Sequence, residues 1–241
     1  MKAMIFAAGL GTRLKPLTGS IPKALVEFRG KTLLEHVISK LKDSGFNELV
    51  INVHHFADNV ESYLEEKDNF GIHIDISDER SLLLDTGGAV LHAKSYLKDS
   101  DLILIHNVDI ISDIDLQAMM HQHTSSSSLA TLAVQSRASS RKLVFNEDNF
   151  LCQWKDTDRS EIKIARESKK ELSEWSFSGI HVINPDLLDL ITETGKFSII
   201  DLYLRLAKDH KISYHETDHS YWFDIGSIEK MKKAESFFES I

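Results

Sequence analysis

The sequence predicts an α/β protein built on a doubly wound, mostly parallel sheet, with an insertion in its second half. Three observations predict it. Short unbroken apolar runs alternate with segments of helical spacing across residues 1–110. The first run ends in a glycine-rich turn, Gly9-Leu10-Gly11. Successive runs are separated by helical segments rather than tight turns, as parallel strands joined by crossovers require.

The elements follow in order. Lys2 to Ala8, closed by Gly9, reads as a buried parallel strand. Gly9 to about Glu27 is a loop holding two of the three prolines, Pro16 and Pro22. Leu34, Val37, Ile38 and Leu41 share one face of a helix over 33–41, with Gly45 placed to stop it. Leu49 to Val53 is a second buried strand. Ala57 to Glu66 is an amphipathic helix through Val60, Tyr63 and Leu64. Ile72, Ile74 and Ile76 alternate with polar residues, the pattern of a half-exposed strand. Thr86 is expected to cap a helix from Gly87 to Leu97, and Leu102 to Ile105 is the next buried strand.

After Asp109 the pattern changes. Asp113 and Asp115 are expected to cap a helix over 115–123, followed by a polar loop, Ser125 to Ser128. Strands are expected at Leu129 to Val134, Leu143 to Phe145 and Trp175 to Ile183. The charge-dense stretch from Asp156 to Glu174 reads as a surface excursion. Helices over 185–192 and 199–208, strands over 212–215 and 221–223, and a final helix from Ile228 complete the chain. With no repeat and no linker, residues 1–241 are expected to form one domain.

Composition narrows the function classes. Among 241 residues there is one cysteine, Cys152, so neither a disulfide framework nor a thiolate zinc cluster can form. Cys152 is expected to be a small buried residue in a protein of a reducing, cytoplasmic compartment. The apolar run Ala3 to Ala8 is too short to span a membrane and carries no secretory cleavage pattern. Lys and Arg total 28 against 37 acidic residues, a formal charge of -9. That balance argues against nucleic acid and membrane surfaces as partners. Phosphates would have to be handled by a few placed cations.

The loop after the first strand supplies them. Ala7, Ala8, Gly9 and Gly11 are small enough for backbone N–H groups to approach an anion closely, and Arg13 and Lys23 add two cations. Such a loop suits a polyphosphate. It is not the dinucleotide fingerprint, because Leu14 stands where a third glycine is needed and Asn52 and Val53 where an acid is expected. It is not a Walker A loop, because no Gly-Lys-Ser/Thr occurs in it. Asp109 and Asp224 each close a short apolar strand, where side chains reach the crevice at a sheet's edge. His54 and His55 read as a polar strand end rather than a base pocket. His121 and His123 point different ways on their helix and make no metal pair. Lys230, Lys232 and Lys233 read as a solvated helix face.

The run Ala7-Ala8-Gly9-x-Gly11-Thr12-Arg13-Leu14-x-Pro16-Leu17-Thr18, followed by Pro22-Lys23-x-Leu25, resembles the signature of the sugar-1-phosphate nucleotidylyltransferases. Three further segments resemble that family in order: Asp85-Thr86-Gly87-Gly88-Ala89, Asn107-Val108-Asp109 and Trp222-Phe223-Asp224-Ile225-Gly226-Ser227. The resemblance implies a Rossmann-like fold, with a nucleotide-binding core over 1–110 and a sugar-binding part and C-terminal helix over 111–241. It implies a nucleoside triphosphate and a sugar 1-phosphate as substrates, Mg2+ as cofactor, and a monomer or homodimer. Arg13 and Lys23 would be catalytic. Ala7, Ala8, Gly9, Gly11, Thr12, Arg13, Gly87 and Gly88 would hold the nucleotide, Asn107 and Gly179 the sugar, and Asp109 and Asp224 the metal. Ser77 to Arg80 would add side-chain readers of the base.

The sequence departs from the family at three places. Val108 replaces a usual glycine and is expected to put a branched side chain beside the metal site. Phe6 replaces a leucine. The family's Glu-Lys pair for the sugar phosphate has no clear counterpart, since Glu174-Trp175-Ser176-Phe177-Ser178-Gly179 matches only in its glycine, and Lys196 is the expected substitute cation. Within the family the wording is most similar to the short N-acetylmuramate 1-phosphate uridylyltransferases. The mannose 1-phosphate and heptose 1-phosphate guanylyltransferases are the alternative. A non-catalytic nucleotide-sugar-binding regulator is the alternative of another class.

Overall fold

The computed structural model describes residues 1–240. After β1 (Lys2–Phe6) the chain makes a loop of three short 3-10 turns, at Thr12–Leu14, Leu17–Gly19 and Lys23–Leu25. A small hairpin of β2 (Glu27–Phe28) and β3 (Lys31–Thr32) leads into α1 (Leu33–Asp43). Thr32 caps α1 by accepting the Glu35 amide at 3.0 Å. β4 (Glu48–Val53), α2 (Ala57–Glu66) and β5 (His73–Asp78) follow as predicted.

The predicted helix over 87–97 is two pieces, α3 (Asp85–His92) and α4 (Lys94–Leu97), broken at Ala93. Thr86 does not cap it. Its hydroxyl instead accepts the Ile199 amide at 2.9 Å, tying α3 to a segment 113 positions away. β6 (Ile103–Asn107) is followed by β7 (Ile110–Ser112), which the sequence did not announce. Asp115 caps α5 (Leu116–Ser126), accepting the Ala118 amide at 2.9 Å. This helix runs into the expected serine loop, because Thr124 and Ser125 bond back to carbonyls four residues earlier and stay helical.

The second half is richer in strands than expected. β8 (Ala130–Gln135) and β9 (Arg141–Asn146) are joined by β10 (Leu151–Asp156) and β11 (Glu161–Ile164). β12 (Leu172–Ile183) takes up the end of the supposed excursion. The charged stretch over 156–174 is therefore partly sheet. Two of its charges, Glu161 and Lys163, sit on β11, an edge strand, where they discourage pairing with other chains. Residues Pro185–Leu190 form a 3-10 segment rather than an α-helix. α6 (Ile199–Leu206), β13 (Ile212–Glu216), β14 (Trp222–Asp224) and α7 (Ile228–Glu239) end the described chain.

The sheet runs β11-β10-β9-β12-β6-β1-β4-β5, with β8 beside β12 and β13 beside β8. Neighbours from β6 through β1 and β4 to β5 are parallel, as is β13 against β8. Every pairing of β12 is antiparallel. The doubly wound core and the second-half wing thus meet along β6 and β12. Side chains leave alternate faces of each strand, so the sheet carries two cores. Ala3, Ile5, Leu49, Ile51 and Leu104 pack under α1, α2 and α5. Met4, Val50, Ile103 and Ile105 pack under α3, α4 and α6. Among the described residues no helix is long and apolar enough to cross a membrane. Cys152 is buried and free, as expected.

Candidate active site

The carboxyl ends of β1, β4 and β6 open onto one cleft of about 340 Å3. Phe6, Ala8, Gly9, Lys23, Asn52, Glu79, Asn107 and Asp109 line it, and Thr86 and Lys196 reach it from the far side. Leu10, Gly11, Thr12, Arg13 and Gly226 line a contiguous recess that shares Lys23 and Leu83 with it.

The glycine loop is held from inside. Leu14 is fully buried beneath it. Gly11 has φ +62, and a Cβ there would lie 2.8 Å from Thr18 Cγ2, so only glycine fits. Thr18 closes the turn by donating its hydroxyl to the Gly11 carbonyl at 2.8 Å. The Lys23 stem crosses beside Gly9, and its ammonium pairs with the Asp109 carboxylate. The Ala7 amide is not available to a ligand as expected, because it donates to Asn52 Oδ1 at 2.8 Å. Asn52 in turn donates to Glu79 Oε1 at 2.7 Å, and Glu79 Oε2 accepts the Leu84 amide at 3.0 Å. Glu79 is 1% exposed, and these neutral donors are what let a carboxylate stay there.

Asp109 and Asp224 meet through strand pairing. β14 runs antiparallel to β7, with Asp224 opposite Ile110, and the Ile225 amide donates to the Asp109 carbonyl at 2.7 Å. Gly226 then passes between the side chains. A Cβ on it would lie 2.5 Å from Asp224 Oδ1, 3.0 Å from Arg13 Nη2 and 3.3 Å from Asp109 Oδ2. Four residues singled out in the sequence, Arg13, Lys23, Asp109 and Asp224, therefore converge on one point. Burial pushes the Asp224 carboxyl up, but Lys230, Lys23 and Arg13 outweigh it and hold the group below its ordinary value. Asp224 Oδ1 is buried and has no hydrogen-bond partner among the described residues.

Several expectations need correcting. Lys230 is not on a purely solvated face: one turn into α7, its ammonium pairs with Asp224 Oδ2. Ser227 caps that helix. Val108 does not face the cleft; it is 2% exposed and packs into the core below. Gly87 and Gly88 do not offer their amides, since both donate to the Phe197 carbonyl, at 2.9 and 3.3 Å. A Cβ on Gly87 would lie 2.4 Å from the Phe197 ring, and one on Gly88 2.4 Å from the Gly195 carbonyl oxygen. These glycines bring α3 against the 195–199 segment.

Within Ser77 to Arg80, Arg80 is spent on Asp58, Glu61 and Asp78, Ser77 is buried, and only Glu79 lines the cleft. His54 and His55 are not cleft residues, as expected; His54 bonds the Glu79 carbonyl and the His55 ring lies tilted against Phe56. Gly179 does sit beside Asn107. It has φ +75 at an irregularity of β12, and a Cβ there would lie 2.8 Å from Asn107 Nδ2. Asn52 and Leu83 line the cleft without a signal in the sequence.

The donor set suits a hard divalent cation. Two carboxylates that share one point, one of them with an unpartnered buried oxygen, leave positions for phosphate and water oxygens. Among the described residues no group of three or more His, Cys, Asp or Glu is arranged to hold a metal unaided.

The chain is similar to known proteins along most of its length. The chain is 31% identical to an N-acetylmuramate alpha-1-phosphate uridylyltransferase of Caulobacter vibrioides, over 97% of this chain and 95% of that protein. It is 29% identical to the mannose-1-phosphate guanylyltransferase catalytic subunit beta of Dictyostelium discoideum, over 94% of this chain and 61% of that one. Its fold is similar to that of a UDP-glucose pyrophosphorylase from Acinetobacter baumanii, with a TM-score of 0.77 at 20% identity, over 97% of this chain and 91% of that one. The family profile described as nucleotidyl transferase matches residues 2–240, and with the phosphate loop and both aspartates in one cleft, the chain belongs to the nucleotidyl transferase family.

Proposed function

We propose that this enzyme, a sugar-1-phosphate nucleotidylyltransferase, takes its nucleotidyl group from uridine triphosphate and transfers it to N-acetylmuramate 1-phosphate. The observation that carries the reading is the convergence of Arg13, Lys23, Asp109 and Asp224 around Gly226. A pure binder of nucleotide sugars has little use for all four. The choice of donor and acceptor is supported by the uridylyltransferase relative, which this chain matches along nearly its whole length.

The chemistry is an in-line displacement. An oxygen of the sugar 1-phosphate attacks the α-phosphorus of the triphosphate. The bond from that phosphorus to the bridging oxygen breaks, and pyrophosphate leaves with the electron pair. The attacking phosphate is already anionic near neutral pH, so no general base is needed. The obstacle is the approach of two polyanions, and catalysis reduces to alignment and charge neutralisation. In our reading the backbone of Ala8 to Thr12 and the Arg13 guanidinium hold the outer phosphates and stabilise departing pyrophosphate. Lys23, released from Asp109, bridges the α-phosphate and the acceptor. Asp109 and Asp224 would hold a magnesium ion, which supplies charge neutralisation between donor and acceptor phosphates. The base lies against Asn52, Glu79, Leu83 and Asp85 rather than on the amides of Gly87 and Gly88. Asn107 and Gly179 border the sugar.

The test is pyrophosphate release across a grid of the four nucleoside triphosphates and the 1-phosphates of N-acetylmuramate, glucose, mannose and heptose, with products weighed by mass spectrometry. Fastest release with uridine triphosphate and N-acetylmuramate 1-phosphate is expected. A preference for guanosine triphosphate with mannose or heptose 1-phosphate would move the enzyme to the guanylyltransferases. No release with any pair would favour the non-catalytic binder.

A further inference from the structure

Beyond the bridging Lys23, the acceptor phosphate needs a fixed cation of its own, and the other lysines of the site do not supply one. The ammonium groups of Lys23 and Lys230 are on Asp109 and Asp224. Lys196 lines the cleft but is exposed, and among the described residues its ammonium makes no hydrogen bond or ion pair. Arg137, in the turn between β8 and β9, is held far more firmly. Its carbonyl accepts from Lys142 Nζ at 2.7 Å and from Ser176 Oγ at 2.8 Å, which fixes its main chain. Its guanidinium lies over the Trp222 ring, 3.8 Å from the centroid, and Nη2 donates to the Phe177 carbonyl at 2.6 Å. Trp222 is itself fixed, donating Nε1 to the Ser178 carbonyl at 2.7 Å.

These contacts say where the guanidinium stands. Trp222 and Asp224 are two apart on β14 and so share a face of that strand. Phe177 and Ser178 lead directly into Gly179, which abuts Asn107. The guanidinium therefore stands near both the strand that carries the metal-side aspartate and the segment that leads into the Asn107–Gly179 contact bordering the sugar. Its Nε is buried and has no partner among the described residues. A buried donor on a cation is costly to leave unmade, and a natural structure that leaves one there calls for an explanation. Burial disfavours the charged guanidinium, while the nearby Asp224 charge favours it. Among the described residues no ion pair joins the two. A planar fork of N–H donors held rigidly in place, only part of it used, matches a phosphate's oxygens.

We infer that Arg137 binds the phosphate group of the sugar 1-phosphate, held over Trp222 as the acceptor's anchor. The inference rests on the proposed reading of the reaction. It accounts for a chain with no clear Glu-Lys pair before Gly179: the cation comes from the β8–β9 turn instead.

The experiment takes the substrate pair with the fastest wild-type turnover and measures initial rates for Arg137→Gln and Arg137→Lys. Arg137→Gln should raise KM for the sugar 1-phosphate at least tenfold and leave KM for the triphosphate within twofold. Arg137→Lys should recover part of the loss. An acceptor KM within twofold of wild type, or equal rises for both substrates, would overturn the assignment. A second readout does not depend on either variant folding. In protein carrying Trp154→Phe and Trp175→Phe, Trp222 is the remaining indole, and sugar 1-phosphate should change its fluorescence saturably while the unphosphorylated sugar does not. No phosphate-dependent change would likewise sink it. Should wild type turn over no pair at all, the reading of the reaction fails and this assignment of a sugar 1-phosphate anchor fails with it. Turnover without the KM split or the fluorescence change removes Arg137 alone.

Discussion

Arg13 is the clearest single-residue case. It is exposed on the glycine loop, makes no ion pair among the described residues, and reaches the point where Asp109 and Asp224 meet. A cation poised there acts on charge that develops as pyrophosphate departs, so Arg13→Ala is expected to lower kcat by roughly a hundredfold, the loss typical of one preorganised transition-state donor. A raised KM with near-normal kcat would mean uniform binding instead. The two aspartates belong to one unit. Asp109→Asn and Asp224→Asn should each lower turnover by roughly a hundredfold or more and raise the magnesium concentration needed for half-maximal rate. The double variant should be little worse than either single one, because groups serving one ion lose their effect together. Turnover of the three proteins over a magnesium titration decides it, and fully multiplicative losses would mean that the two do not share an ion.

At the scale of elements, the α3 junction with the 195–199 segment forms one wall of the cleft. Gly87 is the contact that closes it, because the Phe197 ring occupies the space a Cβ would need. Gly87→Ala is expected to cost about 1–3 kcal/mol, as overpacking usually does. Phe197→Ala in the same chain should return part of that, since the ring that clashes is gone; urea denaturation of both singles and the double gives the coupling. Additive losses would refute the clash. This wall also marks where the sequence was legible. Arg13, Lys23, Asp109 and Asp224 were readable because each is a charged residue closing an apolar run or sitting in a glycine loop, a local signal. Asn52, Lys230 and Arg137 were not, and Glu79 only as one of the four residues Ser77 to Arg80. Asn52 and Glu79 reach the cleft through β4–β5 pairing, and Arg137 is set against β14 by the Trp222 ring and the Phe177 carbonyl. Lys230 looked like part of a solvated lysine face because Lys232 and Lys233 sit beside it. Gly87 and Gly88 were legible as required glycines, but not for the reason expected, since what they approach is Phe197 and Gly195.

For the whole molecule, the interior holds histidines that bind the domain's stability to pH. His106 and His181 are fully buried on neighbouring strands β6 and β12, and His123 is buried on α5. Burial pushes the ring pKa down to about 4 for His106 and His123 and about 3 for His181, with Lys40 adding to the effect at His106 and His106 to that at His181. In the unfolded chain each titrates near 6.5. Below that pH the unfolded chain takes up protons that the folded chain refuses. Stability is therefore complete above pH 6.5 and falls as pH drops toward about 4, by about 1.4 kcal/mol per pH unit for each histidine within its own window. Carboxylates held below their ordinary range, such as Asp189, Glu193 and Asp224, titrate beneath most of this window. The expected outcome is a steep loss of urea stability between pH 6.5 and 4.5. His123→Gln tests the cause, because glutamine can keep a hydrogen bond to Thr131 Oγ1 without taking a proton. Its stability should fall less steeply over the same range. An unchanged slope in that variant would place the acid sensitivity elsewhere, and a flat wild-type profile would mean that water enters and solvates these rings when they charge.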